Sequence, residues 1–245
     1  MLAWIAGFAL LGSVGAVACA ALFLVFPARV REALVPGLIG YATGTLLGAA
    51  FLGMIPSALA QASSTAVSST VLAGIVVFFV LEKVVLWRHC HDGDCEAHAR
   101  AAPLILIGDA FHNFVDGVVI AASFLASVPM GIAASLAVIA HEIPQEVGDF
   151  AILLGSGYPR ARALALNAVS ASATLPGAVI AYFALGETRE FVPYILAISA
   201  ASFIYVAAAD LIPGLHRQTS TSESVRQLGL LLAGIGTIAL FRLGS

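Results

Sequence analysis

The sequence has little charge: Asp, Glu, Lys and Arg make up 10% of its 245 residues, whereas 60% are hydrophobic. Soluble domains carry about 25% charged residues, so a soluble globular chain is excluded. The 11 basic and 14 acidic residues supply no basic stripe, and no nucleic-acid partner is expected. The three cysteines, Cys19, Cys90 and Cys95, form no obvious disulfide framework.

What the sequence has in abundance is long apolar runs between short polar breaks. About 20 apolar residues cross a hydrocarbon core as a helix, because in lipid the backbone must satisfy its own hydrogen bonds. The runs predict an all-α membrane protein with eight transmembrane helices, forming a single transmembrane domain over residues 1–245. The predicted spans are 1–26, 34–60, 67–87, 103–127, 129–154, 160–186, 191–213 and 225–243.

The basic residues predict an orientation for this bundle. All Lys and Arg residues except Arg189 and Arg242 fall on one side of the predicted spans, and the positive-inside rule therefore places both termini outside. The alternative for the first run is a cleaved signal peptide, but no basic residue precedes it. We expect a multi-pass protein of the cell (inner) membrane, embedded in the lipid bilayer.

Ionisable residues at membrane depth are concentrated in the fourth and fifth spans. Each costs at least about 2.5 kcal/mol in lipid, so such groups normally face the bundle interior or a water-filled path. Residues four apart share a helix face, which groups His112 with Asp116 and Glu142 with Glu146. Imidazole, carboxylate and amide donors from two helices suit a divalent transition metal, zinc first. The predicted ligands are His112, Asn113, Asp116, His141, Glu142, Gln145 and Glu146, with Asp109 and Asp149 as weaker candidates.

No Lys or Arg stands beside these carboxylates in the two spans. Several neighbouring carboxylates can all stay ionised only with a cation present, and a metal ion supplies that charge. The alternative is that the polar residues only hydrogen-bond one helix to another, as Asn and His often do in membrane bundles. For a cluster of seven such residues we favour the first interpretation, a path for metal ions that is lined mainly by the fourth and fifth helices.

The two spans resemble the signatures of the ZIP (Zrt/Irt-like) family of divalent metal transporters. The HNxxDG-type signature stands at 112–117 and the HExPxExGD-type signature at 141–149. The resemblance extends over the whole chain and indicates a bacterial member. It implies a homodimeric bundle in which the second, fourth, fifth and seventh helices line the route to a metal site that is often binuclear. It implies that His112, Asp116 and His141 are primary ligands, with Asn113, Glu142 and Glu146 at or near a second metal.

The sequence departs from the family pattern at three places. Gln145 stands where the nearest subgroup often has His and other members have a carboxylate. The second span offers only the thioether of Met54 where relatives often place His and Glu. The sixth span offers Asn167, Ser170 and Thr174 where some relatives provide a glutamate. An entrance site and a full second metal site are therefore doubtful on the sequence alone.

A polar loop over 88–100, predicted to be cytoplasmic, is the other group of potential metal ligands. Two cysteines and three histidines are enough for a tetrahedral zinc site, which would collect or sense arriving metal. The alternative is a solvated loop with incidental affinity, since no spacing in it matches a rigid zinc knuckle. The predicted loop ligands are His89, Cys90, His91, Cys95 and His98.

The function predicted from these observations is carrier-mediated movement of divalent metal, most of all Zn²⁺ uptake into the cytoplasm. Fe²⁺, Mn²⁺ and Cd²⁺ are further candidate substrates, and neither an organic cofactor nor an enzymatic activity is expected. An intramembrane zinc protease is the alternative, because 141–145 differs from HExxH only by Gln145. That reading, like a metal sensor built on the loop, leaves the polar cluster of the fourth span without a role.

Overall fold

The computed structural model describes residues 1–89, 97–216 and 220–243, and all regular structure among them is helical. Eight helices, some of them interrupted, follow one another along these ranges. They are α1 (Leu2–Phe23), α2 (Ala28–Gly48, Ala49–Met54 and Ile55–Leu59), α3 (Ser64–His89), α4 (Ala97–Ala126), α5 (Val128–Gly155), α6 (Arg160–Ala171 and Thr174–Glu187), α7 (Val192–Tyr205, Val206–Leu211 and Ile212–Leu215) and α8 (Thr221–Leu243).

Within the described residues, seven helices are long and apolar enough to cross a membrane. They are all of the helices except α5, which is 28 residues long but carries the polar cluster of the fifth predicted span. The structure therefore confirms an all-helical membrane protein. α3 reaches His89 and α4 begins at Ala97, so both helices extend into the range predicted as a loop.

Three helices change locally from α- to π-geometry: α1 at Leu11–Gly15, and α2 and α7 each shortly before a proline. In α2 the π-helical segment is Ala49–Met54, and in α7 it is Val206–Leu211. Each is followed after one residue by a proline, Pro56 or Pro213. A proline has no N–H to donate to the preceding turn, so the backbone there adopts an alternative hydrogen-bonding pattern. Both segments lie near α5 or the cavity beside it.

Glycines hold two pairs of helices in close contact. A side chain at Gly44 of α2 would overlap the Leu231 carbonyl oxygen of α8, and one at Gly117 of α4 would overlap the Thr174 carbonyl oxygen of α6. Small residues of this kind let helix backbones approach within a membrane, where packing rather than the hydrophobic effect drives association. The pairs α2–α8 and α4–α6 are accordingly the most extensive helix contacts among the described residues.

The remaining helices complete two groups around these pairs. α3 packs on α7, and α7 also contacts α2, whereas α1 packs on both α5 and α6. α5 lies between the groups, with α4 on one side and α2 on the other. Its polar face is therefore enclosed by helices rather than turned toward lipid, and this enclosure positions the site.

Candidate metal centre

Four of the predicted ligands meet where α4 faces α5. His112 and Asp116 are four residues apart on α4, and His141 and Glu142 are adjacent on α5. One ligand atom from each of these residues lies within 4.8 Å of the others. Asp116 and Glu142 have no exposed side-chain surface, whereas the His112 side chain is 21% exposed. The group is therefore buried, with His112 as its most accessible member.

Five of the six distances between the ligand atoms are close to those of a tetrahedral site. His141 Nε2 lies 3.2 Å from His112 Nε2, 3.1 Å from Asp116 Oδ2 and 3.3 Å from Glu142 Oε1. His112 Nε2 lies 3.7 Å from Asp116 Oδ2 and 3.4 Å from Glu142 Oε1. Zinc bonds of about 2.0–2.1 Å require ligand atoms about 3.3–3.4 Å apart at the corners of a tetrahedron. A single divalent ion therefore fits with small side-chain adjustments.

His141 is held in the orientation that a metal ligand needs. Its Nδ1 lies 2.9 Å from the Ala137 carbonyl oxygen, which can only accept, so Nδ1 carries the hydrogen. Nε2 then presents a lone pair toward the cluster. The ring also packs edge-on against Phe203 of α7, with centroids 5.9 Å apart. Phe203 is one of many apolar residues in α7, and no sequence signal distinguished it.

The carboxylates of the cluster have no protein charge to balance them. Neither oxygen of Asp116 or of Glu142 accepts a hydrogen bond within the described structure. Among the residues that the structure describes, no Lys or Arg forms an ion pair with either side chain. Burying ionised carboxylates without a counter-charge is strongly unfavourable, and two imidazoles alone would have to be protonated to offset it. A divalent cation between the four side chains balances both carboxylates at once.

Asn113 and Gln145 belong to a neighbouring network around Asp109. Asp109 Oδ1 accepts hydrogen bonds from Asn113 Nδ2 and from Gln145 Nε2, each 3.0 Å long. Asn113 Oδ1 in turn accepts a hydrogen bond of 2.9 Å from the Thr174 hydroxyl of α6. Both amides are thus engaged next to the four-residue cluster rather than within it. Their role as ligands stays a prediction.

The other predicted site residues lie around these two groups. Glu146 is fully buried and its carboxylate oxygens have no hydrogen-bond partner among the described residues, although Asn167 donates to its main-chain oxygen. The Ser170 hydroxyl donates to the Asn167 carbonyl oxygen of its own helix. Met54 is buried in the main apolar core. Asp149 lies about two turns beyond Glu142 along α5, in the wall of a cavity.

This cavity, of about 470 Å³, connects the cluster with one end of the bundle. His112 and His141 stand at its inner limit, and Asp109, Gln145 and Asp149 line its wall. It extends toward the end at which α4 begins and α5 finishes. Asp210 of α7 also lines it. Acidic side chains on three helices therefore border the passage to the buried site.

The predicted loop site cannot be placed relative to this centre. Cys90, His91 and Cys95 lie outside the described residues, and the side chains of His89 and His98 also lie outside them. The collecting or sensing role of this loop stays a prediction.

A buried transition-metal site between helices of a membrane-crossing bundle defines an integral membrane protein that handles divalent metal ions. A family model described as ZIP Zinc transporter matches residues 88–242, well over half of the chain. The chain belongs to the ZIP zinc transporter family. This confirms the resemblance to the ZIP family.

Three relatives illustrate the similarity. Zinc transporter ZIP13 of Pongo abelii is 34% identical over 222 residues, which cover 84% of this chain and 66% of the relative. Zinc transporter zipt-7.2 of Caenorhabditis elegans is 30% identical over 259 residues, 81% of this chain and 56% of the relative. Zinc transporter ZIP4 of Mus musculus is 45% identical over 120 residues, 49% of this chain and 18% of the relative.

The chain thus spans between about a fifth and two thirds of the length of these relatives. All three are named as zinc transporters and none as an enzyme, so the protease alternative has no support. The structure adds a physical objection to it. Glu142 is one of the four clustered side chains, and Gln145, at the position of the second zinc-binding histidine of HExxH, bonds to Asp109 instead.

Proposed function

We propose that the chain carries Zn²⁺ across a membrane by way of the site formed by His112, Asp116, His141 and Glu142. The observation that carries the proposal is the set of four ligand atoms at tetrahedral spacing, buried without a counter-charge and reached through a cavity. Two imidazoles and two carboxylates suit zinc. None of the four ligands is a cysteine, so the ion is released without transfer from one thiolate to another.

We further propose that the ion moves into the cytoplasm. In the topology that we propose, with eight spans and both termini outside, the beginning of α4 and the end of α5 are cytoplasmic, and the cavity is on the same side of the cluster. The membrane potential favours entry, because a divalent cation gains about 4.6 kcal/mol when it moves through 100 mV. The uptake therefore needs no obligatory coupling to another ion. We also propose Fe²⁺, Mn²⁺ and Cd²⁺ as weaker substrates, a homodimer and a location in the inner cell membrane.

Flux through purified protein tests the proposal. Vesicles that contain the protein and a zinc-sensitive dye should fill with Zn²⁺ when it is added outside. Asp116→Ala and His141→Ala should lower the initial rate by at least about 100-fold, because each removes one of four ligands. Glu187→Gln is the matched control, since it removes an exposed carboxylate at the end of α6 and should leave the rate unchanged.

Two further measurements separate the other functions. Deletion of residues 89–98 should leave most of the flux, whereas loss of flux in that variant alone would favour a sensor. Cleavage of a membrane-embedded substrate without zinc flux would favour the protease. Wild-type vesicles that remain empty while the purified protein still binds Zn²⁺ would overturn the transport proposal and leave only a binding site.

A further inference from the structure

A second cavity, of about 490 Å³, lies where α3, α4 and α7 come together. It shares no lining residue with the cavity that leads to the metal cluster. Its walls include Ala73 and Val77 of α3, Phe111 and Val115 of α4, and Ile198 of α7. Phe111 and Val115 directly precede the metal-cluster residues His112 and Asp116 in the sequence. A neighbouring face of the same helix, about 100° around its axis from the metal ligands, therefore lines this cavity.

The packing of the surrounding helices explains why the cavity exists. α3 is joined to α7 by the contact of Gly74 with Ala201 and by the ring contact of Phe78 with Tyr205. α4 is joined instead to α6, through the close backbone approach at Gly117. Val77 of α3 and Phe111 of α4 both line the space between these two helices, which make few contacts with each other.

The chemistry of the lining excludes most occupants. Among the side chains that the structure describes, no charged one lines the cavity, and the Thr70 hydroxyl in its wall already donates to the Ala66 carbonyl oxygen. An apolar space of this kind holds water poorly, and it offers no counter-charge to a lipid headgroup. Phe111, Val77 and Leu81 at its border are 55%, 53% and 39% exposed. These three residues belong to candidate membrane spans. We therefore expect the cavity to open between them toward the bilayer.

The size of the cavity decides between a lipid chain and a helix of a second protein. An α-helix about 10 Å across occupies about 120 Å³ per residue, so the cavity would hold only about four residues of one. A flexible hydrocarbon chain has no such minimum width, and the volume lies within the range of small-molecule sites. We propose that an acyl chain of a membrane lipid occupies this cavity, which we name the α3–α4 seam.

Photocrosslinking tests the proposal in reconstituted protein. Vesicles are made with a phosphatidylcholine that carries a diazirine near the end of one acyl chain, and labelled peptides are mapped after illumination. The expected result is at least a fivefold preference for seam residues over Leu72 and Phe79, which are exposed on α3 outside the cavity. Ala73→Phe places a ring in the cavity and should remove that preference.

Val76→Phe is the matched control, because Val76 is exposed on the same helix but does not line the cavity. It should leave the labelling of the seam unchanged. If Ala73→Phe does not yield folded protein, Val77→Trp fills the same space from an exposed position. Equal labelling of the seam in the filled and control variants would overturn the proposal. Labelling of seam residues no stronger than that of Leu72 and Phe79 in the unmodified protein would also overturn it.

Discussion

At the scale of single residues, the cluster is defined by charge that only a cation balances. Asp116, Glu142 and Glu146 are fully buried, and none of their carboxylate oxygens accepts a hydrogen bond within the described structure. Protons and Zn²⁺ are alternative ways to neutralise them. The imidazoles of His112 and His141 face the same choice, since Nε2 can hold either a proton or the metal.

Acid should therefore slow zinc uptake. Lowering the external pH protonates the histidines and carboxylates, which removes lone pairs and negative charge from the site, so the metal binds less often. The initial rate of dye-reported uptake, measured at fixed free Zn²⁺ and fixed membrane potential, should fall steadily from pH 7.5 to pH 5.5. A rate that rises with acidity would instead indicate that protons move together with the metal.

Gln145 provides a second prediction at this scale. Its amide donates to Asp109 and lies beside the four-residue cluster, so Gln145→Ala should lower the initial uptake rate by about tenfold or less. Asp116→Ala, measured in the same vesicles, should cost far more. Complete loss of uptake in Gln145→Ala would show that the amide oxygen is itself a ligand during transport. Asn113 is a poorer choice for this test, because it links Asp109 to Thr174 of another helix.

The sequence predicted the pairing of His112 with Asp116, because residues four apart on a helix share a face. It could not predict how α4 and α5 are rotated toward each other. Because of that rotation, His141 and Glu142 lie in the cluster, whereas the Asn113 and Gln145 amides donate hydrogen bonds to Asp109. The contact of Phe203 with His141 depends on the position of α7, which no local pattern encodes.

At the scale of helices, apolar runs locate the spans but not their ends. The fourth span was predicted to begin at 103, yet α4 begins at Ala97, because a helix continues beyond the apolar run into polar sequence. The second was predicted to begin at 34, whereas α2 begins at Ala28 for the same reason. The π-helical segments of α2 and α7 also have no signature in hydropathy, since they change the backbone hydrogen bonds and not the composition.

The glycine contact between α2 and α8 gives a prediction for the helix scale. Gly44→Ala adds a methyl group where the Leu231 carbonyl oxygen already lies, so the two helices must separate. We expect the free energy of unfolding to fall by about 1–3 kcal/mol, as overpacked interiors commonly show. Gly236→Ala is the control in α8, because a Cβ there has no atom within 4 Å apart from its own helix.

Unfolding of both variants in detergent, followed by the loss of helical signal with denaturant, measures this difference. Equal stability of Gly44→Ala and Gly236→Ala would show that α2 and α8 are not as tightly packed as the structure has them. The same pair of variants should differ less in zinc affinity than in stability, since neither glycine lies in the metal cluster.

At the scale of the whole molecule, the cluster lies between two groups of helices and opens toward one end of the bundle. α4 and α6 lie on one side of the cluster, and α2, α7 and α8 lie on the other side of α5. The cavity beside His112 is bordered by Asp109, Asp149 and Asp210 from three different helices. If that end is cytoplasmic, as the distribution of basic residues predicts, an ion leaving the cluster passes these carboxylates before it reaches the cell interior.

The accessibility of a single cysteine tests this orientation. Gly148 lines the cavity and has open space where a side chain would begin, so Gly148→Cys should be tolerated in a chain whose three cysteines are replaced by alanine. In sealed vesicles of known orientation, a membrane-impermeant thiol reagent should label it only from the cytoplasmic side. Bound Zn²⁺ should slow the reaction, because the ion holds His112 and His141 at the inner limit of the cavity.

Glu187→Cys serves as the opposite reference in the same cysteine-free chain. Glu187 is exposed at the end of α6, in the link to α7 that the basic residues place outside, so a reagent added outside should label it. Labelling of both cysteines from one side would contradict the predicted topology, because Gly148 and Glu187 would then face the same compartment. Labelling of Gly148→Cys from outside alone would mean that the cavity is the entrance to the cluster, and that the ion leaves by another route.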